Sequence, residues 1–240
     1  MQLGDSAVFN LTEDLIAELQ SFDTPTVCNA LEALAPGRRG YGYTTEPLFC
    51  LRPGLPPLVA LARTASIRSA HPSDLEGAAM RELSDAYYAY IDAGPKPSVV
   101  VIHDMDARRG YGAFWGEVNS AIHKGLGCQG LVTDGAVRDL PDIAEGFQML
   151  AGRVVPSHAH VHVVDFGRPV DVAGMRVSDG DLIHADRHGA VVIPPAVAAD
   201  VAAAARRLQA REKVIIEAAR QPGFNAAKLK VAQGRAAEIH

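Results

Sequence analysis

WGEVNSAIHKGLGCQGLVTDGAVRDL, residues 115–140, contains two features that compete for a functional reading. One is GLGCQG, residues 125–130, which fits the letter pattern G-x-G-x-x-G of a dinucleotide-binding loop. The other is the pair Arg138–Asp139, just after a glycine turn. A dinucleotide loop needs a strand before it, a helix after it, and an acidic residue ~20 positions on to hold a ribose. GLGCQG has the reverse context. EVNSAIHKG before it reads as a helix with an apolar stripe of Val118, Ala121 and Ile122. GLVT, residues 130–133, reads as a short buried strand, and Leu150 stands where the acidic residue is needed. Gly125, Gly127 and Gly130 therefore read as a helix exit turning into a strand.

Working outward, PSVVVIHD, residues 97–104, is a second short apolar run between turn signals and reads as a buried parallel strand. Strand, loop, helix and strand in succession make a βαβ unit with a right-handed crossover. TPTVCNALEAL predicts a helix capped by Thr24, with Pro25 in its first turn. DLEGAAMRELSDAYYAYIDA predicts another, and the polar cluster Ser69, His71, Ser73 and Asp74 ahead of it supplies Ser73 or Asp74 as its cap. LVALARTASI suggests a strand. From about residue 147 the segments FQMLA, RVVP, HAHVHVVDF, PVDVAGMRV, DLIHAD and AVVIP predict short strands, and PAVAADVAAAARRLQAREKVIIEAAR a long helix. The expected organisation is one domain over residues 1–195 with a helical extension over 196–240.

The chain of 240 residues is 48% hydrophobic and 21% charged, an ordinary composition for a soluble globular protein. A net charge of −5 offers no electrostatic reason to bind nucleic acid, and the basic run RRLQAREK reads as a solvated helix face. Cys28, Cys50 and Cys128 form no C-x-x-C pair. The segment MQLGDSAVFNLTEDL lacks a basic region followed by an apolar run, and no apolar stretch approaches the ~20 residues of a membrane helix. These features lead to the expectation of a cytoplasmic protein with reduced thiols and no membrane partner, in which the triplet at Asn10 carries no glycan. Neither a G-x-S-x-G elbow nor an H-E-x-x-H helix is present. His158, His160 and His162 alternate; on a strand they would share one face, as a metal site or as a half-exposed surface.

Two loops then leave the carboxyl ends of neighbouring strands, from Asp104 to Gly116 and from Asp134 to Asp139, where ligands of open α/β sheets bind. Gly116 opens a helix whose first backbone N–H groups, around Val118 and Asn119, suit an anion such as a carboxylate. Arg138 offers a planar fork for a carboxylate or an enolate oxygen. Asp139 and Glu117 offer hard oxygen ligands for Mg²⁺ or Mn²⁺. On spacing alone, a capping Asp beside a solvated Arg is an equal reading.

WGE and GLGCQGLVTDGAVRD, together with TPTVCNALE, VVVIHD and GDLIHADRHGAVVIP, resemble the RraA-like proteins, which include the 4-hydroxy-4-methyl-2-oxoglutarate aldolases. The resemblance spans roughly residues 24–195. It implies an α/β fold, a β-β-α sandwich of the swivelling-domain type, assembled as a homotrimer or homohexamer with sites at subunit interfaces. It implies that Arg138 contacts a 2-oxo acid substrate and that Asp139 binds Mg²⁺ (or Mn²⁺). Gly116, Glu117, Val118 and Asn119 become the substrate-binding loop, with Glu117 reaching the metal through water. The implied function is a divalent-metal-dependent lyase, a class II aldolase cleaving 4-hydroxy-2-oxo acids to pyruvate, with oxaloacetate decarboxylation by the same chemistry. A protein-binding regulator of a ribonuclease, and a lyase or hydratase on another sugar or oxo acid, are the competing readings. One departure stands out: DMDARRGYGAFWGE carries Arg108, Arg109 and aromatics where the family tends to be glycine-rich.

Overall fold

A computed structural model describes residues 11–239. The expectations that rest on residues 1–10, including the leader and Asn10, lie outside the described residues. The chain runs α1 (Glu13–Gln20), α2 (Thr24–Leu34), β1 (Phe49–Cys50), β2 (Leu58–Arg68), α3 (Gly77–Ala93), β3 (Ser98–Asp104), β4 (Ala113–Trp115), α4 (Glu117–Gly125) and β5 (Cys128–Val137). It continues through β6 (Gln148–Val154), β7 (His162–Phe166), β8 (Val170–Val172), β9 (Met175–Val177), β10 (Leu182–Asp186), β11 (Gly189–Ile193), α5 (Val201–Ala219) and α6 (Ala226–Ala237).

Seven strands lie in the order β1-β6-β5-β3-β2-β10-β11, with β4 added beside β5 and β7 beside β2. The β2-β3-β5-β6 centre is parallel. β2 is long enough to hold two antiparallel partners in succession, β10 along residues 58–61 and β7 along residues 65–68. This bends the sheet around an inner core. The β8–β9 hairpin closes over that core through a two-residue turn, Ala173–Gly174, in which both residues have positive φ.

Strand β3 shows why the central strands read as continuous apolar runs. Val99 and Val101 enter the inner core beneath β8–β9, while Val100 and Ile102 enter an outer core with Tyr87 and Ile91 of α3 and Trp115 of β4. A second outer core joins α1, α2 and the start of α5 to β2, β10 and β11, and includes Leu19, Val27, Leu31 and Val201. Burying side chains of this size contributes roughly 1.5–3 kcal/mol each. The result is the mixed α/β sandwich expected, with helices following it. Gly125 and Gly127 form the predicted helix exit; Gly127 has φ +87.

Several local expectations are corrected. Asp23, not Thr24, caps α2, accepting the Thr26 N–H. The Thr24 hydroxyl is instead buried against His184 Nδ1 at 3.0 Å, and His184 Nε2 donates to the Leu19 carbonyl. α3 begins at Gly77, with neither Ser73 nor Asp74 as its cap; Ser73 Oγ accepts the Leu75 N–H in a local turn. Of HAHVH only His162 lies on a strand. His158 bonds the Ala113 carbonyl and Ala159 has φ +48, so the three imidazoles do not share a strand face. The largest surprise is α4: Val118, Ala121 and Ile122 face outward, and Ser120 and His123 are the buried side.

His123 is accommodated in an otherwise apolar core because its polarity is satisfied. Its Nδ1 must donate to the Asn119 carbonyl at 2.7 Å, which leaves Nε2 to accept from the Tyr87 hydroxyl at 2.9 Å. Its ring lies 4.4 Å from that of Trp115. Burial holds this imidazole neutral, its pKa lowered to about 4. A folded pKa below the unfolded value gives stability that is fully present above pH ~6.5 and lost as pH falls toward 4. His184, also lowered by burial, acts in the same direction. Urea titrations at pH 7 and pH 4.5 are therefore expected to show a loss of at least roughly 2–3 kcal/mol; equal stabilities would contradict a neutral buried His123.

Candidate functional site

β4 and α4 are placed by β5. Ala113 and Trp115 pair with Ala136 and Val137, and the Arg138 N–H donates to the Trp115 carbonyl at 2.8 Å. The chain leaving β4 at Gly116 and the chain leaving β5 at Arg138 therefore lie side by side. Gly116 has φ −162, an extended conformation open to any residue. Its missing side chain matters for space instead. A Cβ there would meet the Asp139 carboxylate and would come within 3.2 Å of Arg138 Cγ.

Asp139 sits at φ 53, ψ 42, in the left-handed region that Asp tolerates better than most residues. Its Oδ2 is 3.2 Å from Arg138 Nε. That nitrogen nevertheless has no hydrogen-bond partner among the described residues. By distance the contact is an ion pair, but the N–H does not point along it, so the guanidinium is only loosely committed to Asp139. Both side chains are part-exposed. The first N–H groups of α4, at Glu117, Val118 and Asn119, precede the first intrahelical bond from Ser120 to Gly116.

The structure thus brings Gly116, Arg138 and Asp139 into contact and sets the α4 N-terminus beside them. Glu117 and Val118 are exposed at its rim. Asn119 differs from the simple expectation: its side chain is occupied, donating to the Phe114 carbonyl and accepting from the Tyr88 hydroxyl at 2.9 Å. It offers a ligand its backbone N–H alone. Lys124 is at the opposite end of α4, bonded to Gln129.

Sequence reasoning missed what holds the loop from Asp104 to Gly116. Asp104 accepts the N–H groups of Asp106 and Gly110. Asp106 Oδ2 accepts from the N–H groups of Ser69 and Ala70, at 2.6 and 2.7 Å, and from the Ser69 hydroxyl. Ser69 Oγ in turn accepts the Gly112 N–H. Asp134 accepts the Asp104 N–H, pairs with His103 Nδ1 at 2.8 Å, and lies 3.4 Å from Arg109 Nε. Desolvation raises the Asp104 pKa. Asp106 is lowered: desolvation alone would raise it, but the donors from Ser69 and Ala70 and the Arg68 charge outweigh burial. Arg109, one of the two arginines distinguishing this loop, is thereby committed to Asp134 and Glu46. The available signal was an Asp at every second position in DMD ahead of a turn-rich loop, a common backbone-bonding pattern.

Among the described residues no three His, Cys, Asp or Glu side chains group to hold a metal ion. The donors at the site, Asp139 with Glu117 nearby, instead suit a hard cation that keeps several waters, as Mg²⁺ does.

A family model described as RraA-like, Aldolase/RraA, matches residues 24–192, and the chain belongs to that family. A Halalkalibacterium halodurans protein named "Putative 4-hydroxy-4-methyl-2-oxoglutarate aldolase" is 26% identical over 180 residues, covering 71% of this chain and 83% of its own. An uncharacterised Methanocaldococcus jannaschii protein is 32% identical over 107 residues, and the match spans 51% of its length. Among solved structures, an uncharacterised protein of Pseudomonas syringae pv. tomato shares the fold at a TM-score of 0.70 and 24% identity, covering 98% of this chain and all of that one. Streptomyces coelicolor RraAS2, described as an unusual member of the RNase ES inhibitor RraA family, does so at 0.65 and 23%, covering 85% and 96%.

Asp106→Ala is expected to strand the buried Ser69 N–H and the partly buried Ala70 N–H and to destabilise the protein by about 2–3 kcal/mol, measured as a shift in the urea unfolding midpoint. A shift below about 0.5 kcal/mol would mean that the loop does not depend on this carboxylate.

Proposed function

We propose that the protein is a divalent-metal-dependent lyase that cleaves a 4-hydroxy-2-oxo acid, such as 4-hydroxy-4-methyl-2-oxoglutarate, to release pyruvate. The observation that carries this reading is the contact of Gly116 with Arg138 and Asp139. A helix N-terminus, a guanidinium and a carboxylate lying side by side support the binding of one small 2-oxo acid there. The amides of Glu117, Val118 and Asn119 bind the substrate carboxylate. Asp139, with Glu117 acting through water, would hold Mg²⁺ or Mn²⁺, which supplies Lewis-acid polarisation of the C2 carbonyl. In the cleavage the C4 hydroxyl proton passes to solvent and the C3–C4 bond breaks, leaving a C4 carbonyl. The electron pair moves onto the C2 oxygen as the pyruvate enolate, which then takes a proton at C3. Arg138, loosely held in the free protein, turns its donors to that developing negative charge, a contribution of several kcal/mol. Loss of CO₂ from oxaloacetate yields the same enolate and falls within the same reading.

The exposed Val118–Ile122 side of α4 favours a second contact at this edge, with another protein surface. A neighbouring copy in a homotrimer or homohexamer is the occupant that suits an enzyme whose sites lie between subunits. A ribonuclease would suit a regulator.

Release of pyruvate, followed with lactate dehydrogenase and NADH, distinguishes the readings. Arg138→Ala and Asp139→Ala are each expected to lower kcat at least ~100-fold with the fold retained by circular dichroism. Gly116→Ala is expected to lower it at least ~10-fold, because its methyl group displaces the Asp139 carboxylate. EDTA should abolish turnover and Mg²⁺ or Mn²⁺ restore it. Near-normal turnover by either of the first two variants would overturn the assignment.

A further inference from the structure

Asn119 stands in the first turn of α4, and its side chain is occupied at both ends. Nδ2 donates to the Phe114 carbonyl of β4, and Oδ1 accepts the Tyr88 hydroxyl of α3 at 2.9 Å. The Phe114 carbonyl can only accept, so the amide must turn Nδ2 toward it and Oδ1 toward Tyr88, whose hydroxyl is then the donor. The two bonds bridge β4 to α4 across the Gly116 turn and carry the link on to α3.

Tyr87 and Tyr88 are consecutive in α3, about 100° apart around its axis. They reach His123 and Asn119, which lie one turn apart on α4. Their tasks differ. Tyr87 is fully buried, bonds the His123 ring and packs edge-on against Phe114 with ring centroids 6.3 Å apart. It belongs to the outer core. Tyr88 is only part-buried, and among the described residues its hydroxyl bonds Asn119 alone. Burial raises its phenol above the usual tyrosine value, so the hydroxyl remains a donor well beyond neutral pH.

We propose that Tyr88 is a positioning residue for the anion site. Through the Asn119 amide it fixes the direction of the residue 117–119 N–H groups relative to Arg138, whose Nε is buried with no hydrogen-bond partner among the described residues. The inference rests on the lyase reading for the chemistry of the ligand, a small 2-oxo carboxylate. N–H groups that converge on a carboxylate must be held in place before it arrives. Without the Tyr88 hydroxyl, Asn119 Oδ1 loses its donor and the first turn of α4 loses its tether to α3. Those N–H groups are then ordered only on binding, at a cost in affinity. The substrate carboxylate carries the same charge before and during C3–C4 cleavage, so the loss falls on KM rather than on kcat.

Calorimetric titration of the full chain with oxalate in the presence of Mg²⁺ reads the anion site without turnover, and the coupled pyruvate assay gives KM and kcat. Tyr88→Phe and Asn119→Ala are each expected to weaken oxalate binding and raise KM roughly 5- to 10-fold, the worth of one hydrogen bond, with kcat within about 2-fold of wild type. The double variant is expected to bind no more weakly than Asn119→Ala alone, because the hydroxyl acts only through the amide. Tyr87→Phe is expected to lower the urea midpoint and leave KM within about 2-fold of wild type. Normal oxalate affinity in Tyr88→Phe, additive losses in the double variant, a fall in kcat at unchanged KM, or an equal rise in KM in Tyr87→Phe would each overturn the positioning role. If wild type binds oxalate, Tyr88→Phe weakens that binding and no pyruvate is released, the positioning role stands and the lyase reading fails. A wild-type chain that does not bind oxalate overturns both.

Discussion

The absence of one side chain organises the proposed site. Gly116 allows the chain leaving β4 to lie against Arg138 and Asp139, and any Cβ there would occupy the space of the Asp139 carboxylate. The closeness follows from the parallel pairing of β4 with β5 and from the hydrogen bond between Arg138 N–H and the Trp115 carbonyl. Asp139 accepts a left-handed backbone to make it, a local cost that surrounding packing must offset.

Around this contact, polar groups are buried in order to position backbone. Asp104, Asp106 and Asp134 are nearly solvent-free, yet each accepts N–H groups from chain that would otherwise have no partner. A loop held in this way is preorganised, so less conformational entropy is lost when a ligand binds. The same economy appears in α4, where His123 and Asn119 bind Tyr87 and Tyr88 and anchor the helix whose N-terminus faces the site. Inward polar residues and an outward apolar stripe are an inversion that a periodicity argument cannot detect, because hydropathy does not register a satisfied hydrogen bond.

Legibility therefore varied with the kind of interaction. β3 and the first half of β5 were readable because strands buried on both faces have no polar side to interrupt them, whereas residues 134–137, expected as a loop, continue β5 because Ala136 and Val137 pair with β4 and β6. GLGCQG was readable as a helix exit because its context, helix then strand, is local. Gly116, Arg138 and Asp139 were chosen as neighbours from the general behaviour of sheet edges, and their side-by-side placement follows that rule. HAHVH was misread because Ala159 has positive φ, a choice made by the surrounding chain where His160 N–H meets the Ser69 carbonyl. Thr24 was misread because its hydroxyl found a partner 160 positions away in His184.

The sequence by itself determined the alternation of strands and helices, the helix ends marked by glycine and proline, and the residue types able to hold an anion and a hard cation. Those properties depend on neighbours within a turn or two along the chain. Only the tertiary structure decided which side of α4 is buried and which aspartates brace the loop before Gly116. Each of these is settled by partners distant in sequence, whose proximity exists only once the sheet has closed around its core.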